Sequence, residues 1–193
     1  MEKTASLEEL IKREYRTMVC TMAFGEITVS ELCKRVGISR KSFYTYFESR
    51  DDVLARILYD DIGAPIEKIF PLFRNQNAPV SVPIMNTMVY QAIIDHKEFY
   101  QRLVTQNQER IFVHAFQKCL MVSHTFTNDT LGGKKGEEFE YASRFLAAAQ
   151  AAIIVQWIRS GMEVAPEQLS EWFGAWSAPA VQSVAWGEDP EGK

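Results

Sequence analysis

Cysteine is scarce: Cys20, Cys33 and Cys119 are the only three in 193 residues. They are odd in number and widely spaced, with no CxxC pair, which argues against a disulfide framework and fits reduced, packed thiols. Histidine is as rare, and His96, His114 and His124 lack metal-ligand spacing such as HxxxH, so no metal site is expected. No apolar run approaches the roughly 18 residues that a membrane span needs. Charges run throughout MEKTASLEELIKREYRTMV, which does not read as a signal peptide, and a cytoplasmic location is expected. Low-complexity tracts and internal repeats are missing. So are GxSxG, a Walker loop, GxGxxG and HExxH. The acid pairs Asp51-Asp52 and Asp60-Asp61 have no evident base or metal set beside them. No catalytic residue and no cofactor is assigned, and an enzyme is not expected.

What is present is apolar and aromatic: 47% of residues are hydrophobic and 12% aromatic, enough for a sizeable core. The length suits one mid-sized domain or two small ones. The most informative stretch is ITVSELCKRVGISRKSFYTYF, residues 27–47. Val29, Leu32, Cys33 and Val36 fall at i, i+3, i+4 and i+7, the apolar face of a short helix. Thr28 before them and Glu31 three residues later read as a capping box. Gly37 suits the left-handed residue that ends a helix. Ser39 can cap a second helix, with Phe43 and Phe47 on one face. Its other side exposes Arg40, Lys41, Ser42, Tyr44, Thr45 and Tyr46. Residues 34–50 carry Lys34, Arg35, Arg40, Lys41 and Arg50 against Glu48 alone, in a chain of net charge −4. A local cationic patch on an acidic protein is what phosphate attraction requires. Two short helices with a tight turn form a helix-turn-helix, whose second helix fits a DNA major groove.

Residues 27–58 resemble the DNA-binding region of the TetR/AcrR family of bacterial transcription regulators. The resemblance is carried by the Thr28-Val29 start, Gly37 in the turn, Ser39 opening the second helix, and FYTYF at 43–47 followed by ESRDDVL at 48–54. It implies an all-α fold, with an N-terminal three-helix helix-turn-helix domain and a C-terminal helical ligand-binding and dimerisation domain. It also implies a homodimer on a double-stranded DNA operator, with an effector or partner protein acting on the C-terminal part. Of the DNA-facing candidates, Arg40 is the first choice for base readout, since a guanidinium bonds to guanine in bidentate fashion. Lys41, Ser42 and Thr45 lie beside it. Tyr44 and Tyr46 match positions that bond phosphate through their polar tips, although aromatics on short helices are also often core. Thr28 is both cap and phosphate candidate, and Arg50 matches a basic phosphate contact at the start of the fourth helix.

Read in order, a first helix spans residues 6–24, capped by Ser6 and ended by Gly25. Lys3 and Thr4 lie before it, near where DNA backbone would pass. A fourth helix starts at Ser49. Gly63, Pro65 and Pro71 suggest an end or kink between 62 and 71. The division expected is 1–48 for the helix-turn-helix domain, 49–73 for a connecting helix and 74–193 for the effector and dimerisation domain. Residues 74–83 are read as the linker, and 128–136 as a flexible turn between helices. Further helices are expected at 84–94, 96–105, 107–127 and 137–160, with another opening at Pro166. That last helix presents Leu169, Trp172, Phe173 and Trp176, and apolar faces at helical spacing favour association; an internal core helix would show the same pattern. The tail from Ser177 onward is not placed. Met88, Phe99, Tyr100, Phe112, Phe116 and Trp157 could line a ligand pocket, against the simpler reading of ordinary core. Tyr90 and Met121 belong to the same set. The function expected is a TetR-type repressor; an activator, or a helical protein-interaction module, is the alternative. The C-terminal sequence also resembles the TetR subgroup that controls dihydroxyacetone kinase genes.

Overall fold

The computed structural model describes residues 6–74, 82–131 and 136–185, and every regular element in them is helical. Helix α1, Leu7–Thr21, starts where expected: the Ser6 side chain accepts a bond from the Glu9 N–H at 3.2 Å. Ile11, Tyr15, Met18 and Val19 form its buried stripe. It ends four residues before Gly25, and Phe24–Glu26 make a separate 3-10 turn that buries the Phe24 ring. Lys3 and Thr4 fall outside the described residues.

Helix α2, Val29–Val36, is capped by Thr28, whose hydroxyl accepts from the Glu31 N–H at 3.1 Å. The return half of the capping box does not form. The Glu31 carboxylate instead accepts from Arg35 Nε at 3.2 Å, because a helical i+4 cation competes for it. Gly37 takes φ 77°, and the N–H groups of Gly37 and Ile38 both reach the Cys33 carbonyl at 2.9 Å. Helix α3, Arg40–Phe43, is a single turn; the Ser39 side chain accepts from the Ser42 N–H at 3.0 Å. The chain then tightens to i+3 bonds through residues 44–46 and still brings Phe47 to 5.7 Å from Phe43. Both rings are fully buried.

Helix α4, Arg50–Leu58, is capped by Ser49. The end or kink expected between 62 and 71 is not found there: a π turn, Tyr59–Gly63, begins earlier, and residues 64–71 continue helical in α5, Ala64–Arg74. Gly63 belongs there because of tertiary crowding. A β-carbon on it would lie 2.8 Å from Tyr59 Cδ2 and 3.3 Å from Cys119 Sγ. The expected linker lies mostly outside the described residues.

Helix α6 spans Val82–Asp95 and α7 Lys97–Leu103. A second π turn, Val104–Gln108, joins α7 directly to α8, Glu109–Leu131, where a break was expected. Helix α9, Glu137–Arg159, ends in a Schellman arrangement: Gly161 at φ 83°, with the Met162 N–H on the Trp157 carbonyl at 2.9 Å. Helix α10, Pro166–Ala185, runs past Ser177 and through Pro179, which is exposed. Residues 186–193 are not described.

Helix α1 packs on α2, α4 and α7; α8 packs on α4, α5 and α9; and α10 packs on α6 and α9. One core cluster runs through all of these from Ile11 to Leu169. Cys33 and Cys119 are buried and Cys20 half-buried, all as free thiols. Burial pushes the Cys119 thiol up to about 12, so it is a packing residue at neutral pH.

Candidate nucleic-acid interface

A helix of one turn cannot stand alone in water. Helix α3 is held by its underside, where Phe43, Phe47, Leu32 and Cys33 join the core and Ile38 packs against it. The outer side is left free. Arg40, Lys41, Tyr44, Thr45 and Tyr46 are all exposed, and the two tyrosines keep 50% and 42% of their surface in solvent. The tyrosines are therefore not core residues, although the Tyr44 ring meets Phe43 edge-on at 5.4 Å.

The charges on this region are not equivalent. Arg35 is paired with Glu14 at 3.3 Å and Glu31 at 3.2 Å, and Lys34 lies 3.8 Å from Glu31. Arg50 lies 3.3 Å from Asp51. Among the described residues no carboxylate lies within ion-pair distance of Arg40 or Lys41. The uncompensated positive charge thus sits on the exposed face of α3. Arg40 is steadied from its own helix: Nη2 donates to the Tyr44 hydroxyl at 3.4 Å, and the guanidinium lies 6.0 Å from the Tyr44 ring centre.

The remaining candidates are more constrained. Ser42 is half-buried and shares a 2.9 Å hydroxyl bond with Ser39. The Thr45 hydroxyl donates to the Lys41 carbonyl at 3.2 Å, and the residue is exposed. Thr28 is exposed, with its oxygen occupied as a helix cap. Arg50 departs from the sequence expectation most clearly. Its Nη1 donates to the carbonyls of Ile27 at 3.0 Å and Phe24 at 3.4 Å, and its guanidinium lies over the Phe24 ring at 4.3 Å. A basic residue at a helix start reads as a surface cation, but here the turn before α2 offers it two acceptors and an aromatic face. Arg50 is a strut between the start of α4 and that turn.

The six pocket candidates are placed differently. Phe99, Tyr100, Phe112, Phe116 and Trp157 are buried in the core cluster, and Met88 is half-buried on α6. Phe112 stacks on Phe116 at 5.6 Å, and Tyr100 meets Phe112 edge-on at 5.9 Å. Trp157 packs on Tyr90, and its indole N–H donates to the Val164 carbonyl at 2.8 Å, which fixes the α9–α10 turn. One cleft lined by described residues, of about 690 Å³, opens between α5, α8 and α9 beside Glu67, His114, Lys118, Met121, Asp129 and Arg144. Another, of about 390 Å³, lies between α1 and α7 and includes Phe99 of the six. Sequence reasoning missed the buried pair in which Gln150 Nε2 donates to Asn86 Oδ1 at 2.9 Å across α9 and α6. Two amides inside apolar helical stripes were the available signal.

Helices α9 and α10 each expose a strip of apolar residues. Tyr141, Phe145, Ala148 and Ala152 follow one another at i, i+4, i+7 and i+11 on α9, and all are exposed. Trp172 and Trp176 of α10 are exposed and stack at 6.4 Å, while Leu169 and Phe173 of the same helix turn inward. Among the described residues no helix is long and apolar enough to cross a membrane.

Comparison with known proteins agrees with this geometry. Residues 23–57 match the family described as bacterial regulatory proteins, tetR family, and residues 85–175 match the transcriptional regulator C-terminal region. The HTH-type dhaKLM operon transcriptional activator DhaS of Lactococcus lactis subsp. lactis (strain IL1403) is 21% identical over 122 residues, spanning 62% of this chain and 62% of that protein. The chain thus matches less than two thirds of that relative's length. The solved structure of a dihydroxyacetone kinase operon activator DhaS superposes with a TM-score of 0.51 at 19% identity, covering 93% of this chain and 98% of that one. The fatty acid degradation regulator FadR from Bacillus halodurans gives 0.56 at 14% identity, covering 90% and 95%. At such identities the structural likenesses establish the fold. With its reading helix and its C-terminal region both matched, the chain belongs to the TetR family of transcriptional regulators.

Proposed function

We propose that this chain acts in the cytoplasm as a homodimer that reads a two-fold symmetric operator in duplex DNA, one α3 per half-site. Residues 1–48 are the reading domain, 49–73 the connecting helix, and 74–193 the effector and dimerisation domain. The observation that carries this reading is the exposed face of α3, where Arg40 and Lys41 have no acidic partner among the described residues. Phosphates supply the missing charge, and counterion release drives the encounter. Arg40, Lys41 and Thr45 face base edges. Tyr44, Tyr46 and Thr28 flank them toward phosphate. Ser42 and Arg50 contribute by shaping the helix and its support. The apolar strip of α9 and α10 pairs with its own copy across a two-fold axis, which sets the spacing of the two heads.

Signal input comes from a small molecule or a partner protein acting on the C-terminal half. It acts by favouring one of two placements of the heads. The sign of regulation has two readings. Repression follows if the bound dimer blocks transcription. Activation is favoured by the likeness to DhaS, which is named an operon activator. A reporter driven by the selected operator, with and without the gene, separates them by whether expression rises or falls.

The binding test is selection of bound duplexes from a random pool, followed by titration at several salt concentrations. The wild-type protein should bind one family of palindromic sites with a steep salt dependence. Arg40→Ala should cost about 1–3 kcal/mol on that site and relax the preference at one base pair per half-site. An Arg40→Ala protein with unchanged affinity and unchanged preference refutes the assignment of that helix.

A further inference from the structure

Two π turns lie where the reading head meets the rest of the chain. The first, Tyr59–Gly63, carries Asp60 and Asp61; the second, Val104–Gln108, carries Gln106. Turns of this type are well under 1% of residues and gather at functional sites. Each of these two reaches into the head. Asp60 accepts from Lys12 Nζ of α1 at 2.5 Å, and Gln106 Oε1 accepts from the Phe24 N–H at 3.1 Å. Asp61 does more, because three side chains converge on its carboxylate. Oδ1 accepts from Arg16 Nη2 of α1 at 2.6 Å, and Oδ2 accepts from the Tyr100 hydroxyl of α7 at 2.6 Å. His96 Nε2, just before α7, lies 3.8 Å from Oδ1. Arg16 also lies over the Phe99 ring at 4.9 Å, so head and body touch on both sides of the acid.

We propose that Asp61 is a positioning residue, through which α7 of the C-terminal half sets the place of the DNA-reading head. The side chain is only 9% exposed, and Tyr100 is fully buried. Arg16 Nη1 is buried without a hydrogen-bond partner, so Arg16 is anchored chiefly through Asp61. Burial, with the Asp61 carboxylate beside it, holds the Tyr100 phenol well above its ordinary range, so Tyr100 stays a donor at every working pH. The π turn is what aims the acid. Returning it to α-helix rotates the residues after it by about one helical step, roughly 100°. Asp61 lies inside the turn, where its carboxylate joins Arg16 of α1 to Tyr100 of α7. A shift of α7 acting on Tyr100 is therefore felt at α1, without any change in the residues that face DNA.

The inference rests on the regulator reading above, and its test separates the two. Asp61→Asn leaves a buried guanidinium with a weaker partner and can fail to fold. Tyr100→Phe removes one hydroxyl and keeps the ring packing. Measured on the selected operator fragment, Tyr100→Phe should change affinity about 2- to 30-fold, in either direction. In an Arg16→Gln background the same substitution should change nothing further, because the acid no longer holds the head. A wild-type protein that binds operator while Tyr100→Phe binds identically, or adds independently to Arg16→Gln, overturns the coupling role and leaves the regulator reading standing. A readout without DNA covers failure of that reading. Amide exchange in Tyr100→Phe should quicken selectively in α1, with α9 unchanged. Equal acceleration of α1 and α9 means that Tyr100 merely stabilises the whole chain, and overturns the proposal.

Discussion

Replacing Gly63 by alanine tests the π turn with a result whose sign is informative. In an ordinary helix interior, glycine to alanine stabilises by about 1 kcal/mol, through lower backbone entropy in the unfolded chain. Here the new methyl would lie 2.8 Å from Tyr59 Cδ2, 3.2 Å from Cε2 and 3.3 Å from Cys119 Sγ. Cys119 is buried against the Leu58 carbonyl, with Sγ donating at 3.7 Å, and has nowhere to go. Tyr59 can swing outward, but only by giving up the 2.6 Å bond from its hydroxyl to Glu67. Overpacking of this kind costs about 1–3 kcal/mol, which exceeds the propensity gain. The expected net effect of Gly63→Ala is a loss of up to about 2 kcal/mol, read by urea unfolding at fixed protein concentration. In a Tyr59→Ala background the ring is gone, and the same substitution should be neutral or stabilising. That difference is a coupling of about 1–3 kcal/mol between the two positions. A Gly63→Ala protein more stable than wild type would refute the crowding argument, and with it the account of why position 63 is glycine.

Two further outcomes are expected. Phe145→Glu and Trp176→Glu each place a charge in the exposed α9–α10 strip and should weaken self-association about 30-fold or more, seen as monomer by sedimentation; a dimer of unchanged affinity would move the interface elsewhere. His124 is held down to about 4 by burial, so its imidazole stays neutral in the folded chain while the unfolded chain takes up a proton below about 6.5. The stability this group contributes is present above about pH 6.5 and is lost as pH falls toward 4, by roughly 3 kcal/mol in all. His124→Gln should lose less stability than wild type over that window in urea titrations. Parallel curves would remove His124 as the source.

The parts legible in the sequence were those fixed by neighbours in the chain. Ser6, Thr28, Ser39 and Ser49 each cap the helix they precede, because capping is decided within three residues. Gly37 ends α2, and Phe43 and Phe47 go inside, since both follow from helical phase and φ. What was not legible depends on residues far apart in the chain. Arg50 turns inward because of carbonyls at 24 and 27. Asp60 and Asp61 looked like an acid pair without partners, since their cations are 48 and 45 residues away. Gly63 and Pro65 suggested a break, and the crowding of position 63 by Cys119, from another helix, could not be read from the chain around it. On α10, spacing picked out four aromatic and aliphatic residues but not their division into an inner pair and an outer pair. That division depends on where α6 and α9 lie.

The shortness of α3 has a consequence for how affinity can be tuned. A single helical turn takes its direction from what it rests on, and α3 rests on α2 and on the core that α1 and α4 build. Arg50 ties α4 to the turn before α2, and Gln106 ties that same turn to the C-terminal half. Arg16 and Lys12 tie α1 to the first π turn. The reading face therefore has no placement of its own. It inherits one from contacts made some distance away. In a dimer, two faces must meet successive major grooves together, so a small rotation of each head is counted twice in the fit to DNA. On the proposed reading, base preference and the strength of regulation reside in separable sets of residues: Arg40, Lys41 and Thr45 for the first, Arg16, Asp61, Tyr100 and Gln106 for the second. Substitutions in the second set should alter affinity for every operator variant by a common factor, and those in the first should change the ranking among variants.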